Sequence, residues 1–262
     1  MNILVVGRGW VGRKMFDQLV VNGHVVTLSP HEKAIDEIRG LGRYDWVVNC
    51  AGITGSPNVD ACEWNKAKTY EGNVEFPLAL YNACKDYGIP LAHFSSGCIY
   101  QGQIDDIGAD PNFFGSTYSV SKGITDVLLK NKPNTLLFRV RLPFDSSRNP
   151  KNLLEKLCNY SKSGKLIEGG ENSITDIDEA VKTAAELIDK DVRGIYNLVQ
   201  WGSITTKRIA DMMGLNAEWF TPDEFAQVTF AKRSNCVIPA YERMTPVEIS
   251  LEKAIVKFKD KL

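Results

Sequence analysis

The sequence predicts an α/β fold: a doubly wound parallel sheet with a small second lobe interleaved with its C-terminal part. Three observations support it. Short apolar runs alternate with amphipathic stretches, a glycine cluster joins the first run to the first helix, and the alternation loosens after Pro143. With 262 residues the chain can bury a large core.

Asn2-Ile3-Leu4-Val5-Val6 is continuous and apolar, as a parallel strand buried on both faces requires. After Gly7-Arg8-Gly9-Trp10-Val11-Gly12 comes a helix with Val11, Met15 and Leu19 on one stripe, Phe16 and Val20 beside it. His24 to Leu28 is the second strand, and Pro30 to Arg39 a short helix closed by Gly40 and Gly42. Trp46 to Asn49 is the third strand, followed by the loop Ala51-Gly52-Ile53-Thr54-Gly55. Helices are expected around Asp60 to Lys68 and from Asn73 to Tyr87, with a fourth strand from Leu91 to Ser95. Tyr118 to Lys130 is a helix whose Val120, Ile124, Val127 and Leu128 are expected to pack on the sheet, and Thr135 to Val140 is the fifth strand. Right-handed crossovers then give the doubly wound arrangement.

Beyond Pro143, Asn149-Pro150 has the form of an N-cap with proline at the first helical position. That helix carries Leu153, Leu154 and Leu157 to one side and ends near Gly164. Ile174 to Asp189 reads as a helix, Ile195 to Val199 as a late strand rejoining the sheet, and Ile204 to Met213 as another helix. A last helix starts near Pro246. The expected division is a sheet domain of residues 1–143 plus about 172–200, and a second lobe of about 144–171 plus 201–262.

Composition narrows the partners. A formal net charge of -1 gives no electrostatic case for nucleic acid. No strongly basic amphipathic segment, spanning apolar run or signal-peptide pattern is evident, so neither a membrane nor a secretory route is expected. The six cysteines (Cys50, Cys62, Cys84, Cys98, Cys158, Cys236) are scattered without metal-ligand spacing. They read as reduced thiols of a cytoplasmic protein, and no metal site is assigned.

The glycine cluster carries the first functional signal. Gly7 permits a tight turn, Gly9 lets backbone amides approach a pyrophosphate, and Gly12 lets the helix pack closely on the sheet. The helix N-terminus adds a partial positive charge. Gly7, Arg8, Gly9, Trp10, Val11 and Gly12 therefore form the expected dinucleotide cradle of a Rossmann sheet. No acid stands at the tip of the second strand, where an NAD site offers one to the ribose 2'-hydroxyl. Ser29, His31, Lys33 and Arg8 suit a 2'-phosphate instead, with Glu32 solvated, so NADP(H) is expected ahead of NAD(H). Asn49, Ala51 and Gly52 close the third strand, either as a cofactor contact or as a turn that needs glycine. Cys50 reads as a small buried residue.

The second signal lies between Leu91 and Lys122. Tyr118 and Lys122, four apart on a helix, share a face. A phenol beside an ammonium ionises more easily. With the Ser96 hydroxyl from a strand end, the pair makes a proton donor for a carbonyl under reduction. Tyr-x-x-x-Lys alone is common on solvated helix faces; the glycine cluster gives it meaning.

Together the glycine-rich turn, the Asn49-x-Ala51-Gly52 loop, Ser96 and Tyr118-x-x-x-Lys122 resemble an extended short-chain dehydrogenase/reductase. Finer stretches resemble the UDP-4-keto-6-deoxyglucose 3,5-epimerase/4-reductases that form UDP-L-rhamnose. These are Ile53-Thr54-Gly55-Ser56-Pro57-Asn58-Val59-Asp60, Gly97-Cys98-Ile99, Pro111-Asn112-Phe113-Phe114-Gly115-Ser116, Arg139-Val140-Arg141-Leu142-Pro143, Asn149-Pro150 and Arg233-Ser234-Asn235. The resemblance spans nearly the whole chain. Bacterial dTDP-4-dehydrorhamnose reductase and GDP-fucose synthase are similar at greater distance.

The resemblance implies that Cys98 and Lys156 are an epimerase acid/base pair, that Tyr118 and Ser96 stabilise an enolate, and that Lys122 holds the nicotinamide ribose. It also implies a nucleotide-diphosphate sugar as substrate, met by Thr54, Gly55, Asn58, Ser96, Cys98, Asn152, Arg233 and Asn235. By spacing alone Lys156 reads as a solvated helix lysine, although Asn152 and Lys156 share a face directed away from Leu154. Four departures from the family stand out: a tighter first turn, a shortened Gln101 to Asp110 loop, Ala61 in place of an aromatic residue, and Cys236 in place of asparagine. His24, His31 and His93 show no acid partner in the sequence and receive no catalytic role. A reductase lacking epimerase activity and a non-catalytic NADP-binding regulator are the rival functions, and a homodimer is left open.

Overall fold

The architecture is that of a computed structural model, which describes residues 1–41, 43–167 and 169–261. Gly42, expected to close the second helix, lies outside the described residues. Six strands form one parallel sheet: β1 Asn2–Val6, β2 Val25–Ser29, β3 Trp46–Asn49, β4 Leu91–Ser96, β5 Thr135–Val140 and β6 Gly194–Asn197. Their order is β6-β5-β4-β3-β1-β2, so the winding reverses between β1 and β3. That reversal opens the crevice in which α/β sheets bind ligands, at the carboxyl ends of the strands.

The helices that matter for the site are α1 Trp10–Val21, α2 His31–Leu41, α3 Phe76–Asp86, α4 Thr117–Lys130, α5 Leu153–Ser163, α6 Ile177–Asp189, α7 Thr206–Met213 and α8 Val247–Lys259. Strand side chains alternate between two cores. Ile3, Val5, Trp46 and Val48 pack with Met15 and Leu19 of α1 and Val181 and Ile188 of α6. Leu4, Val6, Val47 and Leu137 pack on the opposite face with Ile38 of α2 and Leu80 of α3. A separate core joins Leu154 and Leu157 of α5, Ile209 and Met213 of α7, and Leu251 and Phe258 of α8. Lys14 of α1 ties it to the sheet, reaching Asp145 at 2.7 Å and Asp178 at 2.6 Å.

Three local expectations are corrected. The apolar stripe of α4 faces outward: Ile124, Val127 and Leu128 are 38–41 % exposed, while Ser121, Thr125 and Asp126 are fully buried. The polar face turns inward because buried groups need it. Asp126 pairs with Arg139 at 2.6 Å and accepts from Ser95 at 2.7 Å, and Asn73 donates to Ser121 at 3.0 Å. An unpaired buried charge would cost more than the exposed methyl groups do. Second, α5 is capped by Asn152, whose side chain accepts from the Leu154 amide at 3.0 Å, and not by Asn149. Third, Thr175–Asp176 pairs with Pro143–Phe144, so α6 begins only at Ile177, with Asp176 as its cap.

Candidate active site

The crevice is built from its glycines upward. Gly7 has φ +102°, and a Cβ there would lie 2.7 Å from the Ala51 amide nitrogen. At Gly12 a Cβ would lie 1.8 Å from the Gly7 carbonyl oxygen. No side chain larger than hydrogen fits either place. Gly9 precedes α1 without a side-chain cap, which leaves first-turn amides for an anion.

At the tip of β2 the exposed polar groups include Arg8, His31, Glu32 and Lys33. The Arg8 guanidinium lies back along the strand, 3.4 Å from the Leu28 carbonyl. Ser29 does not join them: it is 1 % exposed and donates to the Pro30 carbonyl. Asn49 also faces inward, 0 % exposed, donating to the His93 ring at 3.0 Å and accepting from the Ala51 amide at 3.0 Å. It shapes the loop and leaves the crevice wall to Ala51 and Gly52. Asn73, which spacing did not single out, fixes that loop by bonding both the amide and the carbonyl of Ile53, at 2.8 and 2.9 Å.

Ser96 ends β4, almost fully buried, and accepts from the Cys98 amide at 3.1 Å. Tyr118 enters from the first turn of α4. Glu63 anchors that turn by accepting from both the amide and hydroxyl of Thr117 at 2.7 Å. Lys122 donates to the Phe94 carbonyl at 2.9 Å and lies 3.4 Å from the His93 ring. Burial lowers its amine to about 8. Burial and the Lys122 charge hold His93 well below the usual imidazole range, so the ring is neutral. The expectation of an easily ionised phenol is reversed: burial raises Tyr118, negative charge at Cys98 adds to the effect, and a hydrogen bond with Ser96 opposes it. Tyr118 therefore enters as a protonated donor. The other histidines have acid partners elsewhere, His24 with Asp189 at 2.6 Å and His31 with Glu32 at 3.2 Å.

The opposite wall comes from the second core. Burial lowers the Lys156 amine, the charges of Lys151 and Arg233 add to this, and Cys98 opposes it. Cys98, Lys156, Lys151 and Arg233 thus share one electrostatic neighbourhood, although they come from distant parts of the chain. Lys151 also bonds the Gly55 carbonyl and the Thr54 hydroxyl, the latter at 3.0 Å. Arg233 donates to Asp60 at 3.0 Å and to the Ala231 carbonyl at 2.6 Å. Burial pushes the Asp60 carboxyl up, but hydrogen bonds donated by Arg233, the Ala231 amide and the Thr229 hydroxyl, with the Arg233 charge, hold it below its ordinary value. Asn58 accepts from the Asp60 amide at 2.9 Å.

Two members of the expected substrate set sit in protein networks. Asn152 is 0 % exposed, and its amide donates to Asp145 and to the Ser147 carbonyl while its oxygen caps α5. It has no capacity left for a ligand. Asn235 accepts from Asn172 at 3.0 Å and remains partly exposed. Gly102–Gln103 pairs with Cys236–Val237, which joins the short loop to the C-terminal segment. There the Cys236 thiol contacts the Gly97 carbonyl at 3.2 Å, and burial pushes it up to about 11. Sequence reasoning missed Lys151 and Glu63, and quoted Asp60 and Arg141 only within motifs, without a role. No spacing rule marks such residues, whose partners are far away in the chain. Among the described residues no His, Cys, Asp or Glu cluster is arranged to hold a metal ion, and no helix is long and apolar enough to cross a membrane.

The parallel sheet with its glycine turn, and the Ser-Tyr-Lys arrangement at the carboxyl ends of its strands, define a Rossmann-type protein of the extended short-chain dehydrogenase/reductase kind. Residues 1–245 match the family model described as RmlD substrate binding domain, and the chain belongs to that family. It is 32 % identical to a bifunctional dTDP-4-dehydrorhamnose 3,5-epimerase/dTDP-4-dehydrorhamnose reductase of Arabidopsis thaliana, across 98 % of this chain and 92 % of that one. A trifunctional UDP-glucose 4,6-dehydratase/UDP-4-keto-6-deoxy-D-glucose 3,5-epimerase/UDP-4-keto-L-rhamnose-reductase of the same plant is 34 % identical over 81 % of this chain, which spans only 34 % of that protein. Among solved structures, a UDP-rhamnose synthase of Acanthamoeba polyphaga mimivirus superposes with a TM-score of 0.89, at 24 % identity, covering 98 % of this chain and 99 % of the other. This last likeness speaks for the fold.

Proposed function

We propose that this protein is an NADPH-dependent 4-keto-sugar reductase with 3,5-epimerase activity in the same pocket. Its substrate is UDP- or dTDP-4-keto-6-deoxyglucose, converted to the L-rhamnose form. The observation that supports this reading most is the shared neighbourhood of Cys98 and Lys156 beside Tyr118 and Ser96. The Arabidopsis bifunctional relative, similar across nearly the whole chain, supports it independently.

The glycine turn suits a pyrophosphate because Gly7 and Gly12 let neighbouring backbone segments meet, while Gly9 faces open space before the uncapped first turn of α1. Arg8, His31 and Lys33 suit the 2'-phosphate, and Lys122 the nicotinamide ribose. NADPH held by these residues would supply a hydride for the sugar's fourth carbon. Everything else falls to the chain's own side chains. The 4-keto group acidifies the protons at the third and fifth carbons. A base of the Cys98/Lys156 pair takes such a proton, the C–H electrons move into an enolate, and the partner returns a proton to the opposite face. Tyr118 and Ser96 hydrogen-bond the enolate oxygen. During reduction the protonated Tyr118 delivers its proton to that same oxygen. Arg233 and Asn235 meet the diphosphate or nucleotide, with Arg233 oriented by Asp60. The exposed apolar stripe of α4 supports a homodimer.

The test is incubation with NADPH and each nucleotide form of the ketosugar in deuterated water, with the product sugar identified. The expected product is the L-rhamnose nucleotide, carrying deuterium at the third and fifth carbons. Reduction without ring deuterium would reduce the assignment to a reductase alone.

A further inference from the structure

Arg141 follows β5 and is 1 % exposed. Its Nη1 lies 3.3 Å from the Cys98 sulfur and 3.0 Å from the Ser234 hydroxyl. Its Nη2 donates to the Ser234 carbonyl at 2.7 Å and to the Asn172 side chain, while Nε has no partner. Arg139, two residues earlier, is neutralised by Asp126 at 2.6 Å. Arg141 is not: among the described residues no carboxylate lies within ion-pair distance of it. A buried guanidinium without an anion is costly. Of the side chains it touches, only the Cys98 thiol can take up negative charge. The turn is shaped for this contact, since a Cβ at Gly97 would stand 3.3 Å from the Arg141 Cβ and 3.0 Å from Ile238.

We propose that Arg141 is a positioning residue for epimerisation: it holds the Cys98 sulfur in place and shares the negative charge that sulfur carries once its proton has left. The proposal rests on the epimerase reading above and deepens it. The other titratable groups facing Cys98 are Tyr118 from α4, Lys156 from α5 and Cys236 from the segment paired with Gly102–Gln103. Tyr118 and Cys236 stay protonated near neutrality, because burial raises both. Lys156 changes charge as it trades protons with the sugar. Arg141, the cation in direct contact with the sulfur, keeps a constant positive charge through the cycle. The division of labour is then clear. Lys156 moves a proton, while Arg141 keeps its partner able to accept one.

The test reads Cys98 without substrate. Alkylation by iodoacetamide is followed against pH, with the modified cysteine located by peptide mass spectrometry. Arg141→Gln should move the midpoint of Cys98 alkylation up by about one pH unit or more. Near neutral pH it should slow ring deuterium exchange by about tenfold or more. Arg141→Lys should restore part of both. Because the site is buried, Asn172→Asp provides a second route: it sets a carboxylate against Arg141, neutralises it with little change in volume, and should shift the midpoint in the same direction. An unchanged midpoint in a folded Arg141→Gln or Asn172→Asp protein would overturn the proposal. A shifted midpoint together with no ring exchange in the unmodified protein would instead overturn the epimerase reading, and with it this role, while leaving the sulfur–guanidinium pairing.

Discussion

The two sides of the pocket are built differently. On the reductive side, Ser96 ends β4, and Tyr118 and Lys122 enter on α4. These are consecutive long elements of one βα unit, and their backbone places the side chains. On the side proposed for epimerisation, Cys98 follows β4, Arg141 follows β5, Lys156 lies on α5 and Ser234 comes from the C-terminal segment. This half exists only because the second core docks on the sheet, through contacts such as Lys14 with Asp145 and Lys151 with Thr54. Reduction should therefore tolerate damage to lobe docking that epimerisation does not.

The largest break in this comparison is Cys98→Ala. It should abolish deuterium exchange into the ring while a pre-epimerised ketosugar is still reduced; undiminished exchange would remove Cys98 from the mechanism. Tyr118→Phe should lower kcat for reduction by about 10²- to 10⁴-fold, since it removes the proton donor. A fully active variant in a single-turnover assay would refute the assignment.

Burial disfavours the Lys122 ammonium, so its proton leaves at about pH 8 and not in the usual lysine range. The charged form predominates below that value. Reduction should therefore decline as pH rises through it, and Lys122→Arg should move the decline to higher pH. A wild-type profile that is flat through this region would show that the charge is not needed.

Smallest in catalytic effect is Asn152→Ala. Its buried bonds should cost about 1–3 kcal/mol of stability in denaturant titration. KM for the ketosugar should not change, because the side chain faces Asp145 and Ser147. A raised KM with unaltered stability would return Asn152 to the substrate wall.

Much of the fold was legible because its signals are local. The apolar run Ile3 to Val6 and the turn from Gly7 to Gly12 specify strand, cradle and helix with no reference to the rest of the chain. Tyr118 and Lys122 were legible for the same reason, as helical spacing alone sets them on one face. The α4 stripe was misjudged because periodicity ranks methyl groups for burial and cannot see Arg139. That buried guanidinium draws Asp126 inward and turns the apolar residues out. Asn152 was misjudged in a similar way, since Asn149-Pro150 has the form of a helix start and hides the cap three residues later.

The sequence by itself determined the parallel sheet, the glycine turn and the Ser-Tyr-Lys spacing, because each is set by backbone periodicity over one or two neighbouring elements. Only the tertiary structure decided what surrounds Cys98. Arg141, Lys156 and Cys236 approach it from separate segments, and a charge or a buried thiol acts through distance and desolvation. Neither quantity has a period in the sequence.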